Sequence, residues 1–143
     1  GVGEMTVLYT AEATATGEGR GGHTRSSDGV LDLDLAIPKE MGGPGGAASN
    51  PEQLFAAGYA ACFHSALQLV ARRSKVDITD SKVTAQVGIG PNGNGGYQLS
   101  VGLVVDLPGV PADKARELTE AADQVCPYSN AVRGNVEIDL RVA

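Results

Sequence analysis

The chain has 143 residues, enough for one hydrophobic core and short for two ordinary domains. Seventeen acidic against eleven basic side chains leave a formal net charge of -6, which repels a phosphate backbone and argues against nucleic acid as a partner. Hydrophobic residues make up 42%, yet there are four Tyr, two Phe and no Trp, so small aliphatic side chains have to do the packing.

In chain order, GVGE before Met5 reads as an expression remnant, and residues 1–143 as a single domain. Nothing at the start has the charged and then apolar pattern of a leader. No run approaches the ~20 apolar residues that span a bilayer. A cytoplasmic protein with no membrane partner is expected. Thr6 to Thr16 alternates Val7, Tyr9, Ala11, Ala13 and Ala15 on one face, which predicts a half-buried strand. In HTRSSDGVLDLDLAI, Asp28-Gly29 is a hairpin turn signal, followed by Leu31, Leu33 and Leu35 alternating with Asp32 and Asp34. His23 is placed in a loop and exposed. Pro38 to Ser49, dense in glycine and proline, predicts a loop with little order of its own.

The first helix has a legible start. Asn50 suits the cap, Pro51 the first helical position, and Gln53 the place where a capping box wants Glu or Gln. From Leu54 to Val70 the segment is apolar nearly all round, so it belongs inside something. Arg72, Arg73 and Lys75 mark its exit. SKVTAQVGI and YQLSVGLVVDL then predict a hairpin around PNGNGG, Pro111 to Val125 a second helix, and NVEIDLRV a closing strand. Strands come in consecutive groups rather than alternating with helices. The fold class is therefore α+β, with mainly antiparallel sheets wrapped around buried central helices. An apolar helix in a chain this short needs cover from both sides, which implies an obligate homodimer.

Several apparent motifs carry no chemistry. GEGRGG and GIGPNG match GxGxxG, but turn or strand residues follow each, where a dinucleotide fingerprint opens a helix. Cys62 and His64 are separated by about 200° around a helix, so they do not face one ion together and no metal is expected. Neither cysteine belongs to a CxxC.

Cys62 and Cys126 are the two thiols of the chain. In a reducing cytosol such a pair is more often catalytic, redox-sensing or metal-binding than structural. Buried free cysteine is also a small core hydrophobe, which is the plain alternative for Cys62. A reactive thiol needs a helix N-terminus or a cation nearby. Cys62 is eleven residues past Pro51, beyond the reach of its helix's first turn. A basic side chain from another segment has to serve, from among Arg20, Arg25, Lys39 and Arg133. Arg20 stands out because Gly19, Gly21 and Gly22 flank it.

Arg20 in its glycine loop, NPEQLFAAGYAACF from Asn50 to Phe63, and VCPYSNA from Val125 to Ala131 together resemble the organic hydroperoxide resistance proteins of the osmotically inducible protein C superfamily. The resemblance runs from Met5 to Ala143, with one departure, Gly21-Gly22 where that family carries Asp-Gly after the arginine. It implies an intertwined homodimer and a thiol peroxidase that uses no cofactor. By the same resemblance Cys62 is the peroxidatic cysteine, oxidised to a sulfenic acid by an organic hydroperoxide, and Cys126 resolves it as a disulfide. Arg20 with Glu52 polarises thiolate and peroxide. Dihydrolipoamide or a lipoylated protein is the implied reductant. Glu52 is ten residues before Cys62, about 15 Å along a straight helix. A bent helix, a late helix start or donors from both subunits would close that gap, whereas the plain alternative leaves Glu52 as a first-turn residue facing the helix dipole. From a different class, the chain is a redox-sensing or binding protein that uses the same disulfide as a switch, or a structural protein with inert thiols.

Overall fold

The structure, a computed structural model, describes residues 5–143. The tetrapeptide read as an expression remnant lies outside the described residues. The chain divides into two compact units, one reaching to Pro51 and the other running from Glu52 to Ala143.

The first unit is a three-stranded antiparallel sheet in the order β1 (Ala13–Thr16), β2 (His23–Ser26), β3 (Asp32–Asp34). The strand predicted from Thr6 is shorter than expected. Pairing begins at Ala13 opposite Ser26, where β2 ends, so the alternating residues before Ala13 have no neighbouring strand in the unit. The Asp28-Gly29 turn forms as expected: the Asp28 carboxylate accepts from Ser26 Oγ at 2.6 Å and from the Val30 N–H at 3.0 Å, and Gly29 takes a φ of 76°. His23 is not in a loop. It opens β2, paired with Asp34 of β3. The segment 38–49 also has more order than its composition predicts. A 3-10 turn at Lys39–Met41 is followed by Gly42 at φ 86°, and the N–H groups of Gly43 and Gly45 return to the carbonyls of Pro38 and Ile37. Glycine makes these reversals sterically possible, and the backbone bonds then hold them.

The second unit opens with α1 (Pro51–Arg73), continues through a hairpin of β4 (Lys82–Pro91) and β5 (Tyr97–Asp106), and closes with α2 (Ala112–Val125), α3 (Pro127–Val132) and β6 (Ile138–Val142). β5 is the central strand of the order β4-β5-β6. It pairs antiparallel with β4 and parallel with β6, so the sheet is mixed. The parallel pair follows from the helical crossover between them, which returns the chain to the same end of the sheet. Val101, Leu103 and Val105 of β5 are buried at every second residue and share one cluster with Tyr59, Phe63 and Leu67 of α1. By length and composition α1 is apolar enough to cross a bilayer, which corrects the reading that no such run exists. Its buried face is packed into the core of this unit, as expected of a core helix.

Candidate active site

Two elements of the second unit bring the sulfurs together. Cys62 lies on α1, one turn after Tyr59, and is half-buried. Cys126 is fully buried and is the single residue between α2 and α3, with extended backbone (φ -63°, ψ 120°). Pro127 explains that break. A proline pushes the residue before it out of helical conformation, and its own fixed φ suits the first position of a new helix. The Sγ atoms of Cys126 and Cys62 are 3.8 Å apart, and both are free thiols. A disulfide needs about 2.05 Å, so closure requires a further approach of a little under 2 Å.

The surroundings of Cys62 pull its proton equilibrium in opposite directions. Burial raises its pKa above the ordinary cysteine value, and the neighbouring Cys126 raises it further, while the backbone N–H of Tyr128 donates to the sulfur and lowers it. That donor belongs to the first turn of α3, where N–H groups lack a partner within the helix. The second unit alone therefore favours the protonated thiol, with one hydrogen bond already aimed at the form that attacks.

Aromatic and hydroxyl groups surround the pair. Phe55, Tyr59 and Tyr128 form a triangle with ring centroids 5.5 to 6.2 Å apart. Tyr59 and Ser129, both fully buried, join their hydroxyls at 2.6 Å. Burial raises the Tyr59 pKa, so its phenol stays protonated and able to donate. A Cβ placed at Gly58 would lie 2.6 Å from the Tyr128 hydroxyl, so α1 needs a glycine there for that ring to settle against it. Phe55 also borders an open groove of about 1170 Å³ lined by residues such as Leu99, Val101, Val136 and Ile138. Phe55 is the groove's one member in the aromatic triangle, and neither cysteine lines it.

The other sequence candidates fall as follows. Arg20 sits in a 3-10 turn, Gly19–Gly21, between β1 and β2. Arg25 lies with its guanidinium against Gly29, and the Lys39 side chain runs over Gly45. Both cover turns of the first unit. Arg133 clasps the α2–α3 junction, donating to the Asp123 carbonyl at 2.8 Å and to Asn130 Oδ1 at 2.5 Å. Glu52 is in the first turn of α1, which begins at Pro51, so a late helix start is not how it would approach Cys62. His64 pairs with Ser81 Oγ at 2.9 Å and lies 3.4 Å from the Gln68 amide. Sequence reasoning missed α3, the Tyr128 N–H and the Tyr59–Ser129 pair. The Cys126-Pro127 dipeptide was the available signal, because proline both ends one helix and starts another.

These features define a mixed α+β protein with a dithiol formed by a half-buried cysteine on α1 and a buried one at the α2–α3 junction. An OsmC-like protein family model matches residues 43–141. The chain is 49% identical to the organic hydroperoxide resistance protein of Xanthomonas axonopodis pv. citri, covering 96% of each chain. It is 48% identical to the organic hydroperoxide resistance protein OhrB of Bacillus subtilis, covering 94% of this chain and 98% of that one. A crystal structure of an organic hydroperoxide resistance protein from Elizabethkingia anophelis superposes with a TM-score of 0.92 at 52% identity, covering 97% of this chain and 99% of that one. The chain belongs to the OsmC-like family, in its organic hydroperoxide resistance branch.

Proposed function

We propose that this chain is a cytoplasmic thiol peroxidase that reduces organic hydroperoxides to alcohols. The observation that carries the reading is the 3.8 Å approach of the Cys126 sulfur to a Cys62 sulfur that also receives the Tyr128 N–H. The names of the relatives support it, since they are organic hydroperoxide resistance proteins.

In this reading the Cys62 thiolate attacks the outer oxygen of R–O–O–H. The O–O bond breaks, the alcohol leaves with a proton, and the sulfur gives up two electrons to become Cys62–SOH. Cys126 Sγ then forms the S–S bond and the hydroxyl departs as water, which pre-empts further oxidation to the sulfinic acid. A dihydrolipoyl group, free or on a protein, returns two electrons through its paired thiols. Arg20 is the cation proposed to counter the burial that disfavours the thiolate, because a guanidinium keeps its charge at any working pH, with Glu52 as its proposed carboxylate partner in polarising thiolate and peroxide. A homodimer is the proposed working form.

The test is consumption of cumene hydroperoxide with dihydrolipoamide, thioredoxin or glutathione as reductant. Turnover with the dihydrolipoyl dithiol in preference to the others is expected, and no turnover with any dithiol sinks the reading. Cys62→Ser is expected to abolish hydroperoxide consumption. Cys126→Ser is expected to leave the first oxidation intact and to drive Cys62 to sulfinic acid, seen as added oxygen by intact mass. Equal loss of the first step in both variants contradicts the assigned roles. A partner protein that binds only one redox state, without peroxide consumption, would favour the switch reading instead.

A further inference from the structure

α1 meets α3 and the junction before it at two polar contacts, one between the sulfurs of Cys62 and Cys126 and one between the hydroxyls of Tyr59 and Ser129. Tyr59 stands three residues before Cys62 on α1, and Ser129 three residues after Cys126 on α3. One helical turn therefore separates the hydroxyl link from the thiol on α1, and a comparable step separates them on α3. The two links differ in how much room they leave. At 2.6 Å the Tyr59–Ser129 bond is already at the short end of the O–H···O range, so those atoms have no further approach to make. The sulfurs, at 3.8 Å, still have to close. Formation of the disulfide is then a rotation of the Cys126 turn about the hydroxyl pair, since a translation of α3 toward α1 would compress it.

We propose that the Tyr59–Ser129 hydroxyl pair is the positioning element of the resolving step. Its residues hold α3 at a fixed point on α1, so that Cys126 is offered to Cys62 at high effective concentration and the disulfide outruns overoxidation. Both hydroxyls are fully buried, so neither exchanges its partner for water. The aromatic contact of Tyr59 with Tyr128, whose N–H donates to Cys62, ties the pin to the attacking sulfur as well. Closing a bond between groups already held in register forfeits little freedom, which is the physical source of the advantage. The inference rests on the reading that Cys62 and Cys126 cycle between dithiol and disulfide.

The experiment compares Tyr59→Phe, Ser129→Ala and the double variant with the wild type, each reduced and then equilibrated in glutathione buffers. Two glutathione thiols supply the electrons and protons that open the disulfide, so this arm needs no hydroperoxide. Each single variant leaves one buried hydroxyl without a partner and loses stability for that reason alone, whereas the double variant removes both partners and recovers most of it. Positioning predicts that the equilibrium constant for the disulfide falls at least tenfold in all three, about 30 mV in reduction potential. It also predicts that the double variant does not recover. A second arm adds excess cumene hydroperoxide and reads the sulfinic acid fraction by mass, which is expected to rise several-fold in all three while Cys62 is first oxidised at its usual rate. A double variant that regains the wild-type equilibrium constant overturns the proposal, as do unchanged constants throughout. A wild type that forms the disulfide in glutathione buffer but ignores hydroperoxide sinks the peroxidase reading, and the equilibrium constants still decide the positioning role.

Discussion

Gly21 and Gly22 both follow Arg20, and one of them has to be glycine. A Cβ at Gly22 would lie 2.1 Å from the Thr16 carbonyl oxygen, while one at Gly21 meets nothing within 4 Å. The departure from the Asp-Gly that the resemblance led us to expect thus falls at the open position, and the turn that carries Arg20 is compatible with a side chain there. Gly22→Ala is expected to cost about 1–3 kcal/mol through backbone displacement, and Gly21→Ala to stay within about 0.5 kcal/mol, both read from urea midpoints. His23 makes a second single-residue case. Its Nδ1 lies 2.8 Å from Asp34 and its Nε2 contacts Asp32. Both nitrogens face carboxylates, an arrangement that the doubly donating imidazolium satisfies best. The hydrogen bond to Asp34, then that to Asp32, raises the His23 pKa above its usual value. A group whose folded pKa is raised stabilises the fold fully below its ordinary pKa and loses that contribution as pH rises through the folded one. Melting temperatures of the wild type and His23→Asn should therefore differ most below the ordinary histidine value of about 6.5 and converge as the pH rises above it. A gap that widens with pH would contradict this arrangement.

The junction of α2 and α3 shows how one dipeptide builds a functional element. Proline ends α2 at Val125 and starts α3, leaving Cys126 extended between them. Arg133 then fastens the far end of α3 back to α2 through Asp123 and Asn130, and Asn130 Nδ2 donates to the Gln124 carbonyl at 3.2 Å. The Arg133–Asp123 carboxylate contact itself is long, 3.5 Å, and partly exposed, so the shorter bonds to Asn130 Oδ1 and the Asp123 carbonyl matter more. Asp123 Oδ1 is buried with no partner among the described residues. Loss of the guanidinium would leave the second carboxylate oxygen without its cation as well. Arg133→Ala is expected to destabilise the chain by about 1–2 kcal/mol in urea unfolding, and a change below about 0.3 kcal/mol would show that the clasp is ornamental.

Val7, Leu8, Tyr9 and Val30 are exposed by 60 to 95% in the isolated chain, and Ala57, Ala61 and Ser65 leave a stripe of α1 exposed. Single exposed hydrophobics are ordinary, but seven large ones in one unit, with Leu35 as its one buried hydrophobe among the described residues, are not. Cover by a second copy is the proposed explanation. Sedimentation should give twice the 14.6 kDa chain mass, and Val7→Asp with Tyr9→Asp should shift it toward the monomer and lower the melting temperature. A monomer at micromolar concentration would remove the homodimer from the proposal.

Sequence alone determined the features that depend on neighbours along the chain. Proline at 51, the Asp28-Gly29 turn, the PNGNGG hairpin and the periodicities of α1 and α2 are local signals, because caps, turns and one-sided burial act within a few residues. The identity of the two reactive-residue candidates was legible for the same reason, being a matter of residue type and motif. The tertiary structure decided where Thr6 to Glu12 has no strand partner, that β6 runs parallel to β5, and that Tyr59 meets Ser129. It also decided that the Cys126 sulfur stops 3.8 Å from Cys62. Each of these requires two segments distant in the chain to be placed against one another, and no pattern within either segment records that distance.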